Sequence, residues 1–400
     1  MLAYDDVKDL STPCYVFDED ELRANFMDFN EALRKGWSKD SCVAYSVKTT
    51  HEPWVLRIAR DCGCMAEVVS DDEYELALSQ GFTPGQIVFN GPIKGRKFFE
   101  FALEHGSLVN ADSKREVRWA CELAASSKEV RLGVRANIML EKYCPGECLS
   151  DEHHGRFGFS YEGGELADAI MDLRAAGVAV KGLHMHVTTR SRSQEVYATL
   201  AKYAARIVDE FDLNLDYIDM GGGFFGGGPN NLGAYDRYVS TIASELRRFC
   251  DPSHTRLLVE PGGAITCTPG YYVGRVIDCK DVVDERYVVT ELSRINIDHE
   301  MKKTSYNMTL FTKAQDVLPE QRICGYTCMD SDRLCVLENE RRLDEGDLVV
   351  INFAGAYSST FTPEMFIKYP PAVYAKRGET IECVRTPHVA SFEPFCSKEA

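Results

Sequence analysis

Between residues 20 and 265 the chain alternates short apolar runs with longer stretches of helical periodicity, and it does so eight times. The runs occupy residues 42–47, 65–69, 87–90, 107–110, 130–135, 180–187, 215–220 and 256–260. They are rich in Val, Ile and Leu and bounded by Gly, Pro, Asn or Asp, the texture of strands buried on both faces of a parallel sheet. Amphipathic segments lie between them. The clearest places Val196, Leu200, Tyr203, Ile207 and Phe211 at three- and four-residue spacings, one apolar stripe along a helix. Eight strand–helix units in succession predict an α/β fold of the (β/α)8 TIM-barrel type, which takes about 250 residues. An open doubly wound sheet is the rival, but no Gly-x-Gly-x-x-Gly turn follows the first run.

After residue 270 the texture changes. Residues 271–277, 286–292, 333–337 and 347–353 read as strands with few helices between them, and residues 12–17 form a further strand able to join their sheet. The predicted organisation is therefore a barrel over residues 20–270 and a mostly β domain from residues 1–19 and 271–400.

With 45 Lys+Arg against 62 Asp+Glu, the formal charge of −17 disfavours a general nucleic-acid or anionic-membrane surface. No apolar stretch reaches the length of a membrane span, and the acidic start, Met1 to Asp6, lacks the pattern of a signal peptide. Fifteen cysteines in such a chain read as reduced thiols. The expectation is a cytoplasmic protein without nucleic-acid or membrane partners, binding any anion in a local pocket.

Barrels of this type carry their chemistry at the C-terminal ends of the strands. The residues there are Lys48, Glu67, Asn90, Asn110, Arg135, His186, the run Gly221-Gly222-Gly223, and Glu260. A lysine after an apolar run either extends to solvent or sits in a pocket that makes its amine nucleophilic, as Schiff-base chemistry requires. The glycine run is a plain turn or a loop whose N–H groups surround a phosphate. His184 and His186 alternate onto one strand face, which fits a metal pair, a ring stacked on a planar cofactor, or satisfied core histidines; no further ligands are evident. Glu260 needs a buried partner, either a protonated ring nitrogen or a rim cation such as Arg135.

Seven motifs then occur in a familiar order: Tyr45-Ser46-Val47-Lys48, Glu67-Val68-Val69-Ser70, His184-Met185-His186-Val187, Asp219-Met220-Gly221-Gly222-Gly223-Phe224, Glu260-Pro261-Gly262, Cys328-Met329-Asp330-Ser331-Asp332 and Gly355-Ala356-Tyr357. Together they resemble the fold-type III pyridoxal-phosphate decarboxylases, the ornithine and diaminopimelate decarboxylase group, with the diaminopimelate branch nearer. The resemblance implies an alanine racemase-like barrel plus a β domain. It also implies pyridoxal 5'-phosphate as cofactor, an amino-acid-like small-molecule substrate, and a homodimer with shared active sites. By the same resemblance Lys48 holds the cofactor as an imine, His186 stacks on its ring and Glu260 pairs with the ring nitrogen. Glu67, Arg135, Thr189, Gly221, Gly222, Gly223, Gly262 and Tyr357 complete the cofactor site. Cys328 acts at the substrate from the neighbouring subunit, beside Met329, Asp330 and Tyr357. Catalysis then falls to Lys48, His186 and Cys328, with no metal.

Three departures bear on that expectation. Gly263 stands where the family has an arginine that grips the phosphate. Thr188-Thr189-Arg190 replaces a Gly-Ser pair, so that Thr189 is the available hydroxyl and Arg190 a replacement cation. Met329 stands where an acidic residue binds the substrate's distal amine, which points to altered specificity; Arg190 or Arg294 would meet an anionic distal end. A racemase or aldolase on the same barrel, and a non-catalytic cofactor-binding relative, remain alternatives. The cluster Cys144, Cys148, His153 and His154 has zinc-type ligands at no standard zinc spacing and reads as free thiols.

Overall fold

Ala44, Met65, Val88, Tyr217 and Leu258 come from five of the eight runs and meet in one buried cluster. They meet because the runs close into a barrel. The computed structural model describes residues 2–126, 129–148, 155–298, 302–303, 305–361 and 370–387. After β1 (Cys14–Asp18), the barrel strands are β2 (Cys42–Ser46), β3 (Met65–Val68), β4 (Ile87–Phe89), β5 (Leu108–Ala111) and β6 (Arg131–Asn137). A two-residue β7 (Phe159–Ser160) sits beside β6. The barrel continues with β8 (Ala179–His184), β9 (Tyr217–Asp219) and β10 (Arg256–Val259). Every neighbouring pair is parallel, and β10 pairs back to β2, so the eight-stranded barrel has no open edge.

Local chemistry starts the helices where the periodicity places them. Ser70, Ser113 and Ser193 each accept a backbone N–H three residues on, capping the helices Asp71–Ser79, Lys114–Ala125 and Gln194–Glu210. In the last of these Val196, Leu200, Tyr203 and Ile207 are buried as expected. Phe211 lies one residue past the helix as its C-cap and is only partly buried.

The chain divides into two compact units, Arg23–Ile265 and Met1–Leu22 with Thr266–Ala400. In the second, β1 pairs antiparallel with β11 (Gly270–Val282) and parallel with β17 (Ala372–Arg377), so the strand before the barrel is central to this sheet. Cys14, Val16, Tyr271, Val273, Leu348, Val350 and Ala372 form its core. The sheet also contains β12 (Glu285–Thr290), β13 (Met308–Phe311), β14 (Val317–Cys324), β15 (Arg333–Arg341), β16 (Leu348–Ile351) and β18 (Thr380–Arg385). Residues 308–311, 317–324, 372–377 and 380–385 were not expected as strands. β14 carries Pro319, Glu320 and Arg322 on a half-solvated face, and β18 has no fully buried residue, so neither shows an apolar run. No helix among the described residues is long and apolar enough to cross a membrane. Every described cysteine is a free thiol.

Candidate active site

The strand ends of the barrel bring together two buried carboxylates that the sequence separates by nearly two hundred residues. Glu67, on β3, is 1% exposed, and Glu260, just past β10, is 4% exposed. Such groups stay ionised only with donors or cations beside them. Glu67 Oε2 accepts from Ser46 Oγ and from Lys48 Nζ, each at 2.8 Å. Lys48 stands in a single 3-10 turn, Val47–Thr49, that ends β2 and keeps its amine partly exposed over this carboxylate. Asn90, past β4, donates its side-chain amide to Glu260 Oε1 and, at 3.4 Å, to Glu67 Oε1. One amide thus joins both acids.

Behind Glu260 lie His184 and Asp219, at the ends of β8 and β9. His184 Nε2 is 3.4 Å from Glu260 Oε2. Asp219 is fully buried; burial first, then the Glu260 charge, pushes its carboxyl well above the usual range. Burial works against ionised Glu260 too, but His184 and the contact with Asp219 outweigh it and hold Glu260 below its ordinary value. The ligand atoms of His184, Asp219 and Glu260 fall within 4.8 Å of one another. His184 and Asp219 thus back Glu260 from the barrel side. The sequence reading saw the two histidines but missed Asp219, because only closure of the barrel brings β9 beside β10. It also offered Arg135 as a partner for Glu260. That is corrected here: Arg135 donates to Asp112 at 2.9 Å and to the His186 carbonyl at 3.1 Å. Asp112 N–H in turn donates to Glu116, which pairs at 3.0 Å with Lys94, both side chains fully buried. Arg135 therefore braces the His186 backbone.

The glycine run is shaped by close approach. At Gly221, φ +70, a Cβ would lie 2.4 Å from the His186 Cβ, and at Gly222 one would lie 2.5 Å from the Glu260 carbonyl oxygen. The loop is further tied by Tyr197, whose hydroxyl donates to the Gly222 carbonyl at 2.8 Å. The expectation that all three N–H groups are open to a phosphate needs correction. Gly221 N–H donates to Asp219 Oδ1 and Gly222 N–H to His186 Nδ1. Accepting at Nδ1 fixes the neutral tautomer of His186, and burial, then Arg135, pushes its pKa down to about 3.

Among the remaining expected residues, Thr189 is buried and bridges Cys148, and a Cβ at Gly262 would strike Thr49 Oγ1. Arg190 donates to the Cys148 carbonyl. Arg192, which the sequence reading passed over, lies 4.6 Å over the Phe225 ring beside the glycine loop. Cys144 and Cys148 are free thiols with pKa values raised first by burial; His153 and His154 lie outside the described residues. Cys328, Met329, Asp330, Arg294 and Tyr357 belong to the β unit. Cys328 and Tyr357 are exposed there, and Arg294 is buried against Asp298 and the Ser331 and Lys303 carbonyls.

The family pattern described as "Pyridoxal-dependent decarboxylase, pyridoxal binding domain" matches residues 19–267. The chain belongs to that family. It is a pyridoxal-phosphate-dependent decarboxylase, a lyase. Among its relatives, a diaminopimelate decarboxylase of Archaeoglobus fulgidus is 27% identical over 88% of this chain and 84% of that one. An L-glutamyl-[BtrI acyl-carrier protein] decarboxylase of Niallia circulans is 25% identical over 94% of this chain and 92% of that one. The fold is shared with diaminopimelate decarboxylase from Helicobacter pylori, crystallised with L-lysine, at a TM-score of 0.81 over 97% of each chain and 20% identity. The residues present fit the cofactor. The glycine cradle leaves no room for side chains, and a buried carboxylate held ionised is the partner a protonated pyridine nitrogen requires.

His186 makes the stability of the unliganded decarboxylase pH-dependent. Its folded-state pKa of about 3 lies below the ordinary 6.5. Between those values the unfolded chain binds a proton that the folded ring refuses, so this contribution is intact above 6.5 and is lost as pH falls toward 3. Urea unfolding across that window is expected to show a steeper decline for the wild type than for His186→Gln; equal slopes would clear His186 of this role.

Proposed function

We propose that the decarboxylase acts on an amino acid whose distal end is apolar, uncharged or anionic, or on a larger conjugate, rather than on one ending in a free ammonium. The observation that carries this is the state of the carboxylates around Met329. A cavity of about 290 Å³ is lined by Tyr287, Cys328, Met329, Asp330, Asp332 and Arg333. Asp330 is paired with Arg333 at 2.9 Å. Asp332 is 2% exposed and accepts from Ser293 Oγ, Arg294 N and Thr327 Oγ1. Neither acid is unengaged, and Met329 offers a thioether, so an ammonium arriving there finds no carboxylate without a partner. The relative that acts on a glutamyl group attached to a carrier protein supports a conjugate as substrate.

Bound pyridoxal phosphate supplies the electron sink that receives the pair left by departing CO2. The residues of this chain act around it. Lys48 Nζ, held over the pocket by Glu67, would be the attachment point and, as a free amine, the base. Glu260, beside Asn90 and His184, would pair with the protonated ring nitrogen. The neutral His186 ring, pinned through Nδ1, forms an uncharged platform for the cofactor. Gly223 and Thr189 would meet the phosphate end, with Arg192 as the positive charge beside the glycine loop. Cys328 comes from a second copy of the chain, which makes the working unit a homodimer.

Three outcomes are expected. Borohydride reduction of the yellow holoenzyme followed by peptide mapping should place the pyridoxyl group on Lys48; a label on another lysine overturns the assignment. Steady-state kinetics should find diaminopimelate and ornithine poor substrates, and a kcat/KM of about 10⁴ M⁻¹s⁻¹ or more for either would sink the specificity proposal. Mixing Lys48→Ala with Cys328→Ala subunits should restore part of the activity, whereas none after confirmed subunit exchange would mean that each chain carries a whole site.

A further inference from the structure

Barrel interiors are normally filled by branched apolar side chains. This one contains a line of polar groups that leads to the two carboxylates. Tyr217 (β9), Asn110 (β5) and Asn90 are 2%, 1% and 3% exposed. The Tyr217 hydroxyl donates to Asn110 Oδ1 at 2.8 Å, and Asn110 Nδ2 donates to Asn90 Oδ1 at 2.9 Å. Asn90 Nδ2 then donates to Glu260 and Glu67. Two strands omit their side chains to admit this line. A Cβ at Gly182 would lie 2.0 Å from the Tyr217 ring, and one at Gly133 would lie 2.0 Å from Asn110 Oδ1 and 2.4 Å from the Tyr217 hydroxyl.

The polarity of the line follows from its ends. Ionised carboxylates only accept, so Asn90 must present its NH2 to them and its oxygen to the other side. That oxygen needs the NH2 of Asn110, and the oxygen of Asn110 then needs a donor. A phenol is a donor that fits, and burial, then Asp219, raises the pKa of Tyr217 and keeps its proton in place.

We infer that Tyr217 and Asn110 are positioning residues. They form a buried donor relay that holds the Asn90 amide with its N–H groups toward Glu67 and Glu260, and so sets the basicity of the carboxylate that faces the cofactor's ring nitrogen. Each link polarises the next, which a lone amide at Asn90 would not provide. This rests on the placement of Glu67, Glu260 and Lys48 in the cofactor pocket, as proposed above.

The test uses holoenzyme carrying Tyr217→Phe, which removes one oxygen and keeps the ring, and Asn110→Leu, which removes the middle link. With fewer donors Glu260 becomes more basic and keeps the ring nitrogen protonated to higher pH. Titration of the cofactor's visible absorption should show the midpoint raised by about half a unit or more in both variants. Apoprotein affinity for pyridoxal phosphate should fall. For the best substrate found, kcat should drop roughly three- to tenfold with KM unchanged, since the relay touches the carboxylates and not the substrate. The double variant should add nothing to Asn110→Leu alone. An unchanged midpoint in Tyr217→Phe, or additive effects, would overturn the relay. Should either variant fail to fold, the other carries the test. A borohydride label away from Lys48 breaks the functional reading instead; a label on Lys48 with a wild-type titration breaks the relay alone.

Discussion

Glu67 and Glu260 are taken almost wholly out of water at the mouth of the barrel, and the arrangement around them follows from the cost of doing so. Buried charge must be met by donors or cations, or it is lost by protonation. Both tendencies act within a few ångströms. Asp219, with a single backbone donor and a charged neighbour, has its carboxyl pushed well above the ordinary range. Glu260 stays ionised beside Asn90 and His184, and Glu67 is met by Ser46, Lys48 and Asn90.

The same requirement explains residues that carry no chemistry of their own. The imidazole of His186 accepts a backbone N–H at Nδ1 and adds no charge to the strand ends. Arg135 serves the His186 backbone and pairs with Asp112, whose backbone N–H donates to Glu116, itself paired with Lys94, so two buried cation–carboxylate pairs lie side by side. Removing one member of such a set leaves its partner uncompensated, which is more damaging than the net worth of the pair suggests. The glycines at 133, 182, 221 and 222 give up side-chain volume where backbone or polar atoms must approach closely.

Much was legible in the amino-acid order. Eight apolar runs separated by amphipathic segments imply a closed parallel barrel, since buried parallel strands need crossovers and two apolar faces. The motifs around Lys48, Glu67, His186 and Glu260 pointed to a family and its cofactor, and Met329 raised the question of the distal group. The strands at 317–324 and 380–385 were not legible, because a strand wet on one face and short of apolar residues has no periodic signature.

Chemical type and approximate position along each strand are properties of the sequence, since a residue at a strand's end faces the mouth of a barrel whatever its neighbours do. Which ends become neighbours is not. Strand β10 pairs back to β2, and β9 lies between β8 and β10, so residues up to two hundred positions apart come into contact. Only that closure decided that Arg135 goes to Asp112 and not to Glu260, that Asp219 lies against Glu260, and that a tyrosine in an apolar run supplies the last donor of a polar line. Hydrogen bonds and charge pairing act over a few ångströms, and such distances exist only once the barrel has closed.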